Sequence, residues 1–165
     1  MIINPNLVDW KDFTRDPHPT DRNHYWWNNV PTELEEGQTY TISADVEQTK
    51  GGSGIITIRT YESDLRVINS EKQCEIVDGK VYASFVHDKT KSAKLLFYTD
   101  QAGNTVGIGA TFKKIKLEKG DTMTTYIPNE NSLSADKQAI LTKGGYLQRF
   151  IQSSKYLEDK GVSLC

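Results

Sequence analysis

Residues 39–48 alternate so regularly that little besides a β-strand fits them. Tyr40, Ile42, Ala44 and Val46 fall on one phase, and Thr41, Ser43, Asp45 and Glu47 on the other. Side chains of successive strand residues project to opposite faces, so this segment reads as a half-buried strand with its apolar face inward. Gly51-Gly52-Ser53-Gly54 follows as a turn, since glycine tolerates positive φ. Ile55–Tyr61, rich in β-branched and aromatic residues, is a second strand.

The same grammar continues. Asp78-Gly79 lies between apolar-alternating arms, Gln73–Val77 and Val81–His87, and is the signal of a two-residue hairpin. In the second arm Val81, Ala83 and Phe85 share one phase. Lys94–Thr99 is a further short strand, closed by a turn over Asp100-Gln101-Ala102-Gly103-Asn104. The longest strand signal is Thr105–Glu118. Within it Val106, Ile108, Ala110 and Phe112 share a phase, but Ile115 and Leu117 take the opposite one. A slip of one residue near Lys113-Lys114 restores a single apolar face, so a β-bulge or bend is expected there.

No long helical pattern interrupts Asn6–Ile127, and no repeat of solenoid length is present. Strand signals at regular spacing with turns between them predict an all-β, antiparallel two-sheet sandwich rather than a parallel α/β fold. The character changes after Pro128-Asn129-Glu130-Asn131. Ser134 can cap a short helix over Ala135–Lys143, ended by Gly144-Gly145. Leu147, Phe150, Ile151, Ser154 and Leu157 then give a second helix, or Tyr146–Ile151 a strand. Residues 1–130 are thus expected to form the sandwich and 131–165 a mainly helical tail. Two short helices make no core alone, so the tail is expected to pack on the sandwich, on a sister subunit or on a larger partner.

Composition narrows the function. At 165 residues, 36% apolar and 25% charged, the chain is in the globular range. Its 20 basic residues face 22 acidic ones, for a net charge of −2. Lysines cluster only at Lys113, Lys114, Lys116 and Lys119, with Glu118 among them, which argues against a nucleic-acid partner. No stretch reaches the roughly 18–20 apolar residues of a membrane span. Met1 leads into Ile2-Ile3-Asn4-Pro5 without a basic start or apolar core, so no secretory leader is expected. Cys74 and Cys165, far apart, form neither a disulfide framework nor a zinc motif, consistent with folding in a reducing cytoplasm.

No catalytic signature emerges, and the chain is expected not to be an enzyme. His18, His24 and His87 stand in no nucleophile motif, and no G-x-S-x-G occurs. Glu35-Glu36 read as solvated loop charges rather than a glycosidase pair. Gly103, Gly107 and Gly109 lack the following helix that a phosphate cradle needs, and close strand packing accounts for them better. Asp16, His18, Asp21 and His24 straddle Pro17 and Pro19 and match no zinc or EF-hand spacing, so they read as a polar loop. No cofactor is expected; a structural calcium on loop carbonyls and carboxylates, which leaves little sequence trace, stays open.

The aromatic residues carry the binding hypothesis. Tyr25-Trp26-Trp27 sit between Asp21-Arg22-Asn23-His24 and Asn28-Asn29. In a strand, one tryptophan enters the core while the other faces outward. An exposed ring stacks on the apolar C–H face of a pyranose, while amide and carboxylate neighbours take its hydroxyls. Tyr25, Trp26, Trp27, Tyr61 and Tyr98 are therefore the candidate saccharide-binding residues, against the alternative that both tryptophans only pack.

Three segments add a resemblance. Asn6-Leu7-Val8 resembles an N-terminal Asn-Leu-Leu strand. Residues 34–46, Leu-Glu-Glu-Gly-Gln-Thr-Tyr-Thr-Ile-Ser-Ala-Asp-Val, resemble the glycine turn and Thr-Tyr-Thr-x-Ser-x-Asp-Val strand of carbohydrate-binding-module-like jelly rolls. Ile115-Lys116-Leu117-Glu118-Lys119-Gly120 with Thr124-Thr125-Tyr126-Ile127-Pro128 resembles their closing motif. Val8 and Tyr126 replace a leucine and a tryptophan, and Glu118 stands where cellular relatives can carry a calcium-associated aspartate, which speaks against calcium. Such domains occur in tail-tip, baseplate, neck or head-fibre proteins of bacteriophages of Gram-positive bacteria. The resemblance, covering Asn6–Asn129, implies a jelly-roll virion component assembled in the host cytoplasm and binding host cell-wall polysaccharide during adsorption. It also implies that the tail docks on other virion proteins or makes a homo-oligomer. A purely structural decoration or fibre protein without a sugar ligand is the alternative.

Overall fold

The computed structural model describes residues 2–130, and the expectations for 131–165 lie outside the described residues. Eight strands form: β1 (Phe13–Arg15), β2 (Tyr25–Asn29), β3 (Thr39–Lys50), β4 (Ile55–Tyr61), β5 (Ile68–Glu75), β6 (Lys80–Val86), β7 (Lys94–Tyr98) and β8 (Gly109–Lys119). They build two four-stranded antiparallel sheets, ordered β1-β8-β3-β6 and β2-β7-β4-β5. Of the consecutive strands, only β4 and β5 are neighbours in one sheet; every other connection crosses between sheets. That wrapped order is a jelly roll. Among the described residues no helix is long and apolar enough to cross a membrane.

The two inner faces meet over Ile42, Ile56, Leu95, Phe97, Phe112 and Leu117, all essentially without solvent contact. Full burial of each such side chain is worth about 1.5–3 kcal/mol. As the alternation requires, Tyr40, Ile42, Ala44 and Val46 of β3 and Val81, Ala83 and Phe85 of β6 all point into this core. The slip at Lys113-Lys114 is present: Ser43 pairs with Lys116 and Asp45 with Lys113, so Ala44 faces two residues of β8. Lys114 takes φ 50° in this bulge, and Phe112 and Ile115 both enter the core as a result.

Three expectations change. First, β3 is more than half-buried, because Thr41 and Ser43 on its outer phase are also covered. Thr41 Oγ1 bonds Ser84 Oγ at 2.7 Å and the Gly120 carbonyl at 2.7 Å. Second, the Asp78-Gly79 turn forms, with φ 51° and 73° and two 3.0 Å bonds between Val77 and Lys80. It closes a single bridge, however, and β5 and β6 then part into different sheets, each following its own core-facing residues. Third, Thr105–Ile108 is turn rather than strand; Val106 is exposed and β8 starts at Gly109. A Cβ at Gly109 would lie 2.8 Å from Thr49 Oγ1 and 3.1 Å from the Arg15 carbonyl, so close packing accounts for that glycine. At Gly103 and Gly107, however, a Cβ would meet nothing, and their φ of 91° and 73° is the reason for glycine instead.

The segment after β8 is tied down by a buried charge pair. Lys116 and Glu118 have no exposed side-chain surface and lie 3.5 Å apart. The Lys116 ammonium also donates to Thr124 Oγ1 (2.8 Å) and the Thr125 carbonyl (2.7 Å). Glu118 accepts from the Thr124 hydroxyl (2.6 Å) and amide and from Asn4 Nδ2 (3.2 Å). Burial holds the Lys116 pKa below the usual lysine range, and the Glu118 charge pulls it back only in part. Beside this clamp, Asn6 Nδ2 donates to the Ile115 and Ile127 carbonyls and its Oδ1 accepts from the amides of Val8 and Leu117.

Removing one member of such a pair strands the other in the interior. Lys116→Met is expected to cost about 3–5 kcal/mol in urea unfolding, and Lys116→Met/Glu118→Leu to recover most of it. Equal losses in the single and double variants would mean that packing, not the charge pair, fastens this segment.

A candidate saccharide-binding face

The outer face of the second sheet is set by register. Trp27 of β2 pairs with Leu96 of β7, and Leu96 with Arg59 of β4, which in turn faces Glu71 of β5. Tyr25 pairs with Tyr98 on one side of this row; on the other, Asn29 pairs with Lys94 and Lys94 with Tyr61. Because strand residues two apart share a face, four of the five aromatic candidates are brought together here: Tyr25, Trp27, Tyr61 and Tyr98.

Trp26 points the other way. Its ring stacks on Phe13 at 4.1 Å and meets Trp10 edge-on at 5.7 Å, with Phe97 at 5.9 Å. It therefore packs against the main core. Trp27 is 40% exposed, and the Lys94 ammonium lies 4.1 Å from its ring centroid. The two adjacent tryptophans thus divide between core and surface.

The tyrosines are not equivalent. Tyr61 and Tyr98 are buried, forming a small apolar cluster with Leu96 on which Tyr25, Leu65 and Ala102 pack. Their hydroxyls face one guanidinium: Arg59 Nη1 bonds Tyr61 Oη at 2.8 Å and Tyr98 Oη at 3.1 Å. Arg59 Nε pairs with the Glu71 carboxylate. Burial, reinforced by its bond with Tyr61, pushes the Tyr98 phenol well above the usual tyrosine range, with Arg59 opposing. Both rings are fixed in place by these contacts. Tyr25 is half-buried and meets Tyr98 edge-on at 5.4 Å. What reaches solvent is Trp27, with Tyr25, Asn29, Lys94 and the Arg59–Glu71 pair around it.

Arg59, Glu71 and Lys94 were not singled out in the sequence. The signal for Arg59 lies in strand phase: Ile56 and Ile58 face the main core from β4, which puts Arg59 on the opposite face with Tyr61. Lys94 and Glu71 depend on cross-strand register, which only the fold supplies.

The other polar groups weighed above take local roles. His18 Nδ1 accepts the amides of Thr20 (3.2 Å) and Asp21 (2.8 Å), and His24 Nε2 lies 2.9 Å from the Asp16 carbonyl. Glu35 pairs with Lys119 at 2.9 Å, and Glu36 accepts the Lys89 amide at 2.7 Å. Among the described residues no three His, Cys, Asp or Glu side chains gather as metal ligands would. The first sheet carries a separate cleft of about 440 Å³, where Asp45, held by Lys80 at 2.6 Å, faces Lys114 and Tyr126.

No family model and no curated protein matches the chain. Solved structures do share its shape in part. One is described as "CBM4 structure and function", at 17% identity and a TM-score of 0.43, over 64% of this chain and 67% of that one. Another holds the CBM22-1 and GH10 modules of xylanase 10B from Clostridium thermocellum, complexed with xylohexaose, at 17% identity and a TM-score of 0.37. It is matched over 63% of this chain and 20% of that one. A third is the tripod from the baseplate of bacteriophage Tuc2009, at 14% identity and a TM-score of 0.38. There 74% of this chain spans half of that one.

The divided tryptophans make a direct expectation. Of the three tryptophans Trp27 is the most exposed, so Trp27→Phe should remove the larger share of the red-shifted, acrylamide-quenchable emission, leave a smaller share from partly buried Trp10 and Trp26, and keep stability within about 1 kcal/mol. Trp26→Ala should instead cost about 3 kcal/mol or more in unfolding and leave that larger share in place.

Proposed function

We propose that this chain is a non-catalytic saccharide-binding module, with its ligand on the outer face of the second sheet and Trp27 as the stacking ring. The observation that carries the reading is the exposure of Trp27 beside Asn29, Tyr25 and the Arg59–Glu71 pair. An indole offers a wide apolar surface at small entropic cost, and the neighbouring amide and charged groups supply donors and acceptors for ring hydroxyls. Trp26 has no part in this reading beyond fixing β2. Tyr61 and Tyr98 act beneath the ligand as its floor.

The setting follows the motif resemblance at Asn6–Val8, residues 34–46 and residues 115–128. In it the domain belongs to a bacteriophage virion and engages host cell-wall polysaccharide during adsorption. Residues 131–165 would dock it on other virion proteins or on further copies of itself. One exposed ring gives weak binding, and a symmetric set of copies raises it by avidity without new contacts.

Titration with purified cell-wall polysaccharides of Gram-positive bacteria is expected to shift the tryptophan emission saturably. Trp27→Ala should weaken that binding roughly thirtyfold, the cost of losing a central aromatic anchor. A broad panel with no saturable shift would favour the purely structural role, a sandwich that decorates the virion without a sugar ligand.

A further inference from the structure

We infer that the saccharide taken by this face is anionic, carrying a carboxylate or a phosphate next to the ring that stacks on Trp27. The inference rests on the function proposed above and gives its ligand a chemical class. It comes from Lys94. This residue lies on β7, two residues along from the partner of Trp27 and on the same face, and sets its ammonium 4.1 Å from the indole centroid. No carboxylate among the described residues lies within ion-pair distance of it, and its ammonium has no hydrogen-bond acceptor among them.

Other cations nearby have ion-pair partners. Arg59 is matched by Glu71 on the same face. On the loop after β4, Arg66 pairs with Asp64 at 3.5 Å, and Glu62 hydrogen-bonds Asp64, which raises the Glu62 pKa. Lys94 is thus the cation of this face that lacks a counter-charge, and it occupies the surface on which a pyranose would stack. A cation over an exposed ring is held only weakly, so a ligand can move it aside. For a neutral sugar that displacement returns nothing for the charge. A sugar with an acidic substituent turns the displaced ammonium into its ion-pair partner. Asn29, opposite Lys94 in register, adds an amide on the same side.

The two ligand classes predict opposite signs for one substitution. The full chain would be titrated by calorimetry with three probes: oligogalacturonate for the carboxylate, a sugar-substituted glycerol-phosphate polymer for the phosphate, and neutral xylo-oligosaccharide. Lys94→Met keeps the stem that packs on Trp27 and removes the charge; Lys89→Met, an exposed lysine elsewhere, serves as control. Binding of an acidic probe is expected to fall about fivefold in Lys94→Met and to be restored in Lys94→Arg. Lys89→Met should leave it unchanged, and raising the salt from 20 to 500 mM, which shortens the screening length roughly fivefold, should weaken it likewise. Whichever acidic probe responds identifies the anion. Neutral oligosaccharide binding at least as tightly, and tighter still in Lys94→Met, would overturn the inference while keeping the face: Lys94 would then be a cover on the ring. Binding that ignores Trp27→Ala, or none with any probe, would overturn the face itself and the inference with it.

Discussion

One extra residue in β8 decides which side chains the sandwich can bury. Without the bulge at Lys114, the strand phase set by Ala110 and Phe112 would send Lys114, Lys116 and Glu118 into the core. With it, Ile115 and Leu117 go inward instead. A single left-handed residue is a small cost against placing three charges in an apolar interior, which is prohibitive unless each is paired. The bulge also determines where Lys116 and Glu118 finish: on the outer face of the first sheet, under the returning segment 121–127. There they meet Thr124, Thr125 and Asn4, so the charges are satisfied by hydrogen bonds as well as by each other.

This arrangement makes the two outer faces unlike. On the first sheet the returning chain covers Thr41 and Ser43 and is stitched to the N-terminal strand region through Asn6, whose amide serves four backbone groups. The segments whose motifs resemble phage and carbohydrate-binding jelly rolls are the ones that build this closure: Asn6–Val8, β3, and β8 with residues 124–128. They are fold-making residues, which is why the resemblance speaks to architecture more than to ligand. On the second sheet Leu65 and Ala102 cover Tyr61, Leu96 and Tyr98, while among the described residues Trp27 at the edge stays exposed.

The strands were legible because burial in a two-layer sandwich writes a period of two into the chain, and β3, β4, β6 and β7 lie within a residue or two of where alternation puts them. What was not legible depended on partners distant in sequence. Asp78-Gly79 turns as its residue types demand, yet a turn signal says nothing about whether the arms stay paired after it. Lys116 and Glu118 look like solvated charges because their cover, Thr124 and Asn4, is supplied by segments on either side of the fold. The site divides in the same way. Alternation alone separates Trp26 from Trp27, whereas the meeting of Arg59 with Tyr61, Tyr98 and Glu71, and of Lys94 with Trp27, needs four strands in register.

That register also explains why two tyrosines are buried and one tryptophan is not. β7 and β4 are the central strands of the second sheet, so Tyr98 and Tyr61 are flanked on both sides and roofed by Leu65 and Ala102. β2 is an edge strand, flanked on one side only, and Trp27 remains in solvent there. Arg59 locks the two phenols and is itself held by Glu71, giving the exposed ring a floor with little freedom left to lose. Binding costs least where the receptor side is already ordered. In the proposed complex the Lys94 stem over Trp27 is what a ligand would have to displace, and the ligand's chemistry would decide whether that displacement is a loss or a gain.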